Sequence, residues 1–167
     1  MKVLRVLLIA VVVAGLAFLI YRYVLHRTPA AADRITVYYC ETDGETLAQW
    51  SVTLGPARDR RSVAFYATAQ VLAGPPAGTE AIRFPAGTFA KRVDVSGALA
   101  TVDLNRAVES QPGGSFAESG EFKSLVWTLT ALPDITKVQI LVEGRSISSL
   151  PGGHLELDRP LARSDWQ

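Results

Sequence analysis

The sequence has very few of the side chains that bind metals or carry out redox chemistry. Its 167 residues include one cysteine, Cys40, and two histidines, His26 and His154. A single cysteine excludes a disulfide within the chain and a zinc site built only from its own cysteines. Two histidines leave little for a histidine-rich metal site. We therefore predict that the chain holds no metal and no cofactor.

A strong net charge is also absent. Seventeen Lys and Arg residues balance sixteen Asp and Glu residues, which gives a formal net charge of +1. This balance argues against a basic nucleic-acid-binding protein and against a highly charged disordered chain. The average conceals a division, because residues 1–32 carry four basic and no acidic residues, whereas residues 33–167 carry 13 basic and 16 acidic residues. We expect no nucleic acid among the partners.

The motifs of common enzyme classes are missing as well. The sequence contains no H-E-x-x-H, C-x-x-C, G-x-G-x-x-G or G-x-x-x-x-G-K-[ST] pattern, and no serine within G-x-S-x-G. These patterns mark metal, redox and nucleotide-phosphate sites and the nucleophile of many hydrolases. The sequence therefore predicts a protein that is not an enzyme.

What the sequence does have is a long apolar run near its start. Val6–Tyr21 carries no charge and approaches the roughly 20 residues that a membrane-spanning helix needs. Arg22 can extend towards the lipid headgroups, and Tyr23 suits the membrane interface. We predict a single-pass signal anchor. The alternatives are a signal peptide cleaved near Ala30–Ala32, or a buried helix of a soluble protein, which an all-apolar run disfavours.

This anchor divides the chain into four parts. We assign residues 1–27 to the anchor and its flanks, 28–34 to a linker, 35–163 to a folded domain and 164–167 to a C-terminal tail. The basic residues on the two sides of the run nearly cancel as an orientation signal. The signal-like position of the run places the domain at the cell membrane, outside the cytoplasm. Secretion after signal cleavage is the alternative.

Alternation and helical periodicity predict the elements of the domain. Strands are predicted at Ile35–Cys40, Trp50–Leu54, Val93–Val95, Ala98–Leu104 and Thr136–Glu143, with a further strand starting near Ile147. Helices are predicted at Ser62–Ala73, capped by Ser62, and at Phe122–Leu132. Asn105–Gly120 is predicted to be a mobile loop. The result is an α+β fold, with two helices packed on one face of a mixed β-sheet in the order β-β-α-β-β-α-β.

Two acidic residues and one histidine are candidates for chemistry. Asp94 and Asp103 lie on the two strands of one predicted hairpin and could serve as an acid–base pair of a hydrolase. Solvent-facing positions, with Asp103 capping the turn after Leu104, explain them more simply. His154 follows two glycines and is expected to be a solvated loop residue rather than a ligand.

Basic, thiol and aromatic side chains are candidates for contact with partners. Arg58, Arg60 and Arg61 could touch anionic lipid or cell-wall polymer, although a solvated loop is the simpler reading. Cys40 could cross-link two chains, although its alternating strand favours a buried small hydrophobe.

The three tryptophans are candidates for interface anchors. Trp50 and Trp127 are expected in the core or at its edge, and Trp166 is expected to be the freest of the three.

Four segments together resemble the GerMN domain family of bacterial envelope proteins. They are ITVYYCETDGETL, VLAGPPAGTEAIRFPAGT, VDVSGALATVDLN and LVWTLTALPDITKVQILVEG, followed by DRPLAR, within Ile35–Arg163. The motif positions, to which the resemblance assigns a structural role, are Gly74, Pro75, Gly87, Asp103, Leu104, Pro133, Val138 and Gly144. Cys40 lies outside the family pattern, the chain has one copy of the domain, and the Gly- and Ser-rich stretch Glu109–Gly120 is predicted to be an insertion.

The resemblance implies a non-catalytic extracytoplasmic domain that acts through protein–protein contact. It also implies a fold similar to the ring-building folds of secretion and sporulation channels, without implying a role in sporulation. Expected partners are the membrane, other envelope proteins and further copies of the chain. The alternative is an envelope enzyme, or a protein that binds a small ligand or a cell-wall polymer. That alternative requires a cleft with converging polar groups.

Overall fold

The computed structural model describes residues 14–16, 34–55, 59–110 and 115–166. The predicted anchor and linker lie almost wholly outside these residues and remain predictions. Among the described residues, no helix has both the length and the apolar composition needed to cross a membrane. The described residues from Arg34 onward form one unit.

The unit alternates strand pairs with helices. Its elements are β1 (Arg34–Cys40), β2 (Leu47–Thr53), α1 (Arg60–Ala73), β3 (Ala90–Ser96), β4 (Leu99–Leu104), a 3₁₀-helix (Arg106–Ser110), α2 (Ser115–Leu129), β5 (Lys137–Val142) and a second 3₁₀-helix (Arg163–Trp166). The predicted α+β class and element order are confirmed. The further strand near Ile147 is wrong: after the tight turn at Glu143 and Gly144, only an isolated bridge joins Val142 to Arg145.

A mixed three-stranded sheet forms one half of the unit. β4 lies at its centre, antiparallel to β3 and parallel to β5. The β3–β4 hairpin is confirmed, but its turn residues are Gly97 and Ala98 rather than Ser96 and Gly97, because Ser96 pairs with Leu99; Gly97 supplies the positive φ of 56° that this turn requires. The parallel pairing of β5 with β4 follows from the crossover through α2.

β1 and β2 form a separate antiparallel hairpin, so the prediction of a single sheet is wrong. The reason lies at the outer edge of β1, which helix α2 occupies. The backbone N–H of Tyr38 donates to Thr128 Oγ1 at 2.9 Å, and that of Cys40 donates to Ser124 Oγ at 2.8 Å. Two hydroxyl groups of a helix therefore take the place that a neighbouring strand would have in a continuous sheet.

Helix α1 begins two residues before its predicted start. Asp59, rather than Ser62, is its N-cap, because the Asp59 carboxylate accepts from the Ser62 backbone N–H at 3.0 Å and from the Ser62 hydroxyl. These hydrogen bonds from Ser62 hold the pKa of Asp59 below its usual value. The helix ends at Gly74, as predicted, with the Gly74 N–H donating to the Val71 carbonyl.

Helix α2 is longer at its N-terminus than the sequence predicts. The supposed mobile loop Asn105–Gly120 contains the 3₁₀-helix Arg106–Ser110 and the first turn of α2 from Ser115. Periodicity misses this turn because Glu118 and Glu121, two charged residues, lie on buried positions. Glu118 accepts a 2.8 Å hydrogen bond from the His154 backbone N–H, which attaches a C-terminal loop to the start of the helix.

The core lies between α1, α2, the hairpin and the three-stranded sheet. Helix α2 packs against β1 and α1, and α1 packs against β3. The largest fully buried apolar side chains are Phe122, Leu104, Leu125, Leu129, Ile140, Leu157, Leu161, Val37, Val93, Val102, Val108 and Val126. Leu161 pairs with Val138 through hydrogen bonds of 2.8 and 2.9 Å, so the C-terminal segment closes the β5 side of this core.

Candidate interaction surface

The family-motif residues occupy turns and strand ends of the scaffold. Gly74 ends α1 at a φ of 80°, where a side chain would overlap the Arg83 guanidinium. Arg83 also donates to the carbonyl of the buried Pro75 at 3.3 Å. Gly87, with a φ of 83°, offers its carbonyl to the Asn105 amide at 3.0 Å. These residues therefore fix the connection between α1 and β3.

A second group of motif residues meets at the end of β4. Asp103 is buried, and its Oδ1 accepts from the Gly144 N–H at 2.7 Å, while the Leu104 carbonyl accepts from the Glu143 N–H at 2.9 Å. Val138 is buried in β5, and Pro133 lies exposed after α2. The structure thus brings three motif residues, Asp103, Leu104 and Gly144, together in a turn-fixing contact.

Asp94 and Asp103 have different partners. Asp94 forms ion pairs with Arg61 at 3.2 Å and Arg92 at 2.8 Å, whereas Asp103 binds the Gly144 amide. The expected solvent-facing position of Asp103 is wrong. Its carboxylate is buried because it supplies the acceptor for the N–H of the turn after β5.

His154 and Cys40 both lie as expected from the sequence: His154 is a solvated loop residue, and Cys40 is buried in its strand. The His154 side chain is exposed, and its backbone N–H contacts Glu118. Cys40 is fully buried. Burial raises the pKa of its thiol, an effect that the nearby Lys123 ammonium opposes. A buried thiol with a raised pKa is poorly suited to nucleophilic chemistry.

The predictions for two of the three tryptophans, Trp50 and Trp166, are wrong. Trp50 on β2 is 38% exposed rather than in the core, because β2 is the outer strand of a two-stranded hairpin. Trp166 is not the freest tryptophan: its ring packs edge-on against Trp127 with centroids 5.7 Å apart, and its Nε1 donates to Ser119 at 2.8 Å. Trp127 lies at the core edge, as predicted.

The structure places Arg60 and Arg61 of the predicted basic cluster at the start of α1 rather than in a loop, and Arg61 lines a groove that the sequence did not reveal. A groove of about 440 Å³, here called the α1–β3 groove, is lined by Gly55, Arg61, Ser62, Phe65, Tyr66, Ala69, Lys91, Arg92 and Val93. The fold joins Arg61 of α1 to Lys91 and Arg92 of β3. Arg58 lies outside the described residues. The Lys91-Arg92 pair is visible in the sequence, but its place beside α1 depends on tertiary packing.

Arginine side chains hold the two walls of the groove in place. Arg61 donates through Nε to the Val93 carbonyl at 3.1 Å and pairs with Asp94, which Arg92 also contacts. Arg60 Nη2 donates to the Gly97 carbonyl at 2.9 Å. Two guanidinium groups therefore share the single carboxylate of Asp94. Phe65, which is 42% exposed, lines the same groove and adds an aromatic surface to it.

The turn between β1 and β2 is the most acidic short segment of the described residues. It contains Glu41, Asp43 and Glu45 within five positions, and we call these three residues the acidic tip. Asp43 accepts from the Thr46 hydroxyl at 2.5 Å and from the Thr46 and Glu45 N–H groups at 2.9 Å, and these hydrogen bonds, the hydroxyl's first, lower its pKa. Phe116 is 54% exposed and packs against Gly44.

Two buried carboxyl groups lie near the start of α2. Glu118 and Glu121 are 4% and 3% exposed, and in the described part of the chain neither Oε1 atom has a hydrogen-bond partner. Burial, together with the charge of Glu118, raises the pKa of Glu121 to about 8. Sequence reasoning missed both residues, since a glutamate on a helix is ordinarily exposed.

No metal centre forms among the residues that the structure describes. Groups of three or more His, Cys, Asp or Glu side chains that could hold an ion are absent from them. The arrangement that remains is a groove of aromatic and basic side chains and an acidic tip. Both features are suited to binding.

The chain is similar to sporulation proteins in sequence pattern and fold. The family model described as Germane, sporulation and spore germination, matches residues 36–148. The tandem GerMN domains of the sporulation protein GerM from Bacillus subtilis align with a TM-score of 0.64 and 23% identity, over 80% of this chain and 47% of that one. The chain thus spans about half the length of the tandem structure.

Two further solved structures share the fold. The first GerMN domain of the same Bacillus subtilis protein aligns with a TM-score of 0.63 and 23% identity, over 80% of this chain and 99% of that one. A putative lipoprotein from Clostridium perfringens aligns with a TM-score of 0.59 and 20% identity, over 80% and 89% of the two chains. No curated protein matches this sequence.

Proposed function

Because the chain belongs to the Germane family of sporulation and spore germination domains, we propose that it is a membrane-anchored, non-catalytic interaction domain of the bacterial envelope. The α1–β3 groove is the observation that carries this proposal. Arginine and exposed aromatic side chains are enriched at protein interfaces, and here Arg61, Arg92 and Phe65 line one surface. Among the described residues that line the groove there is no carboxyl or imidazole side chain, and the carboxylate of Asp94 beside it is paired with two arginines.

Anchoring is supported by the uncharged run Val6–Tyr21. A C-terminal fusion to alkaline phosphatase, which is active only outside the cytoplasm, tests the proposed topology. We expect phosphatase activity in the membrane fraction. A matching fusion to a reporter that is active only in the cytoplasm should be silent, and activity from that reporter would overturn the extracytoplasmic placement.

Protein contact is tested by photo-cross-linking in cells. A photoreactive phenylalanine analogue is placed in the full chain at Phe65 in the groove and at Phe116 beside the acidic tip. Phe89 is the matched control, since it is also exposed but does not line the groove. We expect discrete protein adducts from at least one of the first two positions. The Phe89 control should yield none, and if neither Phe65 nor Phe116 yields a protein adduct while the chain is present and folded, the proposal is wrong.

A ligand-binding protein is the second candidate. The groove volume of about 440 Å³ falls within the range of small-ligand sites, and three cationic side chains line it. An anionic cell-wall polymer is the ligand class that this charge favours. Binding of purified anionic cell-wall polymer to the full chain, lost on Arg92→Glu, would favour this candidate over protein contact.

A further inference from the structure

We propose that the chain associates head to tail with copies of itself, with the acidic tip of one copy in the α1–β3 groove of the next. The inference deepens the proposed interaction function and rests on it. It names the partner as a second copy of this chain. The argument depends on complementary charge, on an exposed aromatic ring at each surface and on the distance between the two surfaces.

The arginines that line the groove have more N–H donors than their contacts within the chain use. Arg61 uses Nε for the Val93 carbonyl and Nη2 for Asp94, and Arg92 uses Nε for the same carboxylate. A guanidinium group has five N–H donors, so other donors of both arginines remain for an incoming carboxylate. Lys91 adds a third positive charge to the lining, although Glu143 pairs with it at 2.5 Å.

The acidic tip supplies the matching acceptors. Asp43 is engaged in holding the turn, so the side chain available for a partner is that of the exposed Glu45, with the half-buried Glu41 beside it. The Lys123 ammonium lies beside the turn and contributes to lowering the pKa of Asp43, but its Nζ donates to the Glu45 carbonyl at 2.8 Å rather than to the Glu45 carboxylate. The exposed ring of Phe116 lies against the same turn and would meet Phe65 of the groove.

The two surfaces lie at opposite ends of the β1–β2 hairpin. The tip is the turn that joins the strands, whereas Gly55, two residues beyond β2, lines the groove. The Tyr66 hydroxyl, also in the groove lining, donates to the Thr53 carbonyl at 3.3 Å. Seven-residue strands span roughly 20 Å, so the tip of one copy cannot reach its own groove. Contacts of this kind between unlike surfaces build open chains or closed rings.

Charge reversal on each surface tests the proposal. The full chain is purified in detergent, and its self-association is measured by sedimentation at rising protein concentration and at two ionic strengths. We expect Arg92→Glu and Glu45→Arg each to weaken association roughly tenfold or more. The double variant should recover association, because the reversed charges attract again. Higher salt should weaken association of the wild-type chain.

Arg145→Glu and Asp158→Arg are the matched controls, since both residues are exposed and belong to neither surface. They should leave association unchanged. A wild-type chain that stays monomeric overturns the inference, as does association that neither single variant weakens or that the double variant fails to recover.

Cross-linking from Phe65 separates this inference from the proposed function. Adducts between copies of the chain, lost on Glu45→Arg, support both. Adducts only to a different protein overturn the inference and leave the interaction function standing. Adducts only to lipid or cell-wall polymer overturn both.

Discussion

At the scale of single residues, Glu121 has the largest pKa shift within the described part of the chain. Its carboxyl group is buried beside Glu118, and its pKa rises to about 8 from an ordinary value of 4.5. Between these values the folded chain holds a proton that the unfolded chain releases. The stability contributed by the protonated group is therefore complete below pH 4.5 and is lost as the pH rises to about 8, by up to about 1.4 kcal/mol per pH unit.

We predict that Glu121→Gln stabilises the protein above neutral pH and removes this slope. The amide keeps the shape of the carboxyl group without a charge. The measurement is the free energy of unfolding of the full chain by urea from pH 5 to pH 9. Glu80→Gln is the control, because Glu80 is exposed, and its profile should run parallel to the wild type. Parallel profiles for Glu121→Gln as well would show that Glu121 does not ionise differently on folding.

At the scale of the elements, Ser124 and Thr128 of α2 bind the outer edge of β1, so that the β1–β2 hairpin gains no third strand there. The Ser124 hydroxyl accepts from the Cys40 N–H and itself donates to the Gly120 carbonyl at 2.7 Å. In the sequence these residues look like weak helix formers, and only the packing of α2 against β1 shows their role. This is why the split into two sheets could not be predicted from the strand patterns.

Ser124→Ala is expected to destabilise the fold by about 1–3 kcal/mol, because it leaves the buried N–H of Cys40 without an acceptor. The change should also speed hydrogen exchange at Cys40 while leaving β3 and β4 protected. Ser148→Ala, at an exposed position, should change stability by less than about 0.5 kcal/mol. If the two substitutions had equal effects, the hydrogen bond from the Cys40 N–H to Ser124 would not be what stabilises the edge of β1.

At the scale of the whole molecule, the sequence predicted the features that depend on neighbouring residues and missed those that depend on tertiary packing. The β3–β4 hairpin follows from alternation around Ser96 and Gly97, and the end of α1 follows from Gly74. The groove could not be predicted, because Arg61 and Arg92 lie 31 positions apart and meet only when α1 packs on β3. The buried Glu118 was missed for the same reason, since its partners, the N–H groups of His154 and Leu155, lie in a distant loop.

Arg163 adds a side-chain connection between the C-terminal segment and the rest of the fold, beside the hydrogen bonds of Leu161 and Trp166. Its Nε donates to Thr130 Oγ1 at 2.8 Å and its Nη2 to the Trp127 carbonyl at 3.1 Å, at the end of α2. The guanidinium also lies over the rings of Tyr38 and Trp127, 5.9 and 5.6 Å from their centroids. One side chain thus joins the second 3₁₀-helix to α2 and β1.

We predict that Arg163→Ala lowers the free energy of unfolding by roughly 1–3 kcal/mol. Arg163→Lys should recover less than half of the loss, because an ammonium group cannot make both hydrogen bonds and stack on the rings. Hydrogen exchange should accelerate in residues 155–166 and in the last turn of α2, while α1 and β3 stay protected and the groove remains intact. Arg145→Ala, at an exposed position, should change neither measurement. Full recovery by lysine would show that charge alone, rather than the planar fork of the guanidinium, holds the segment in place.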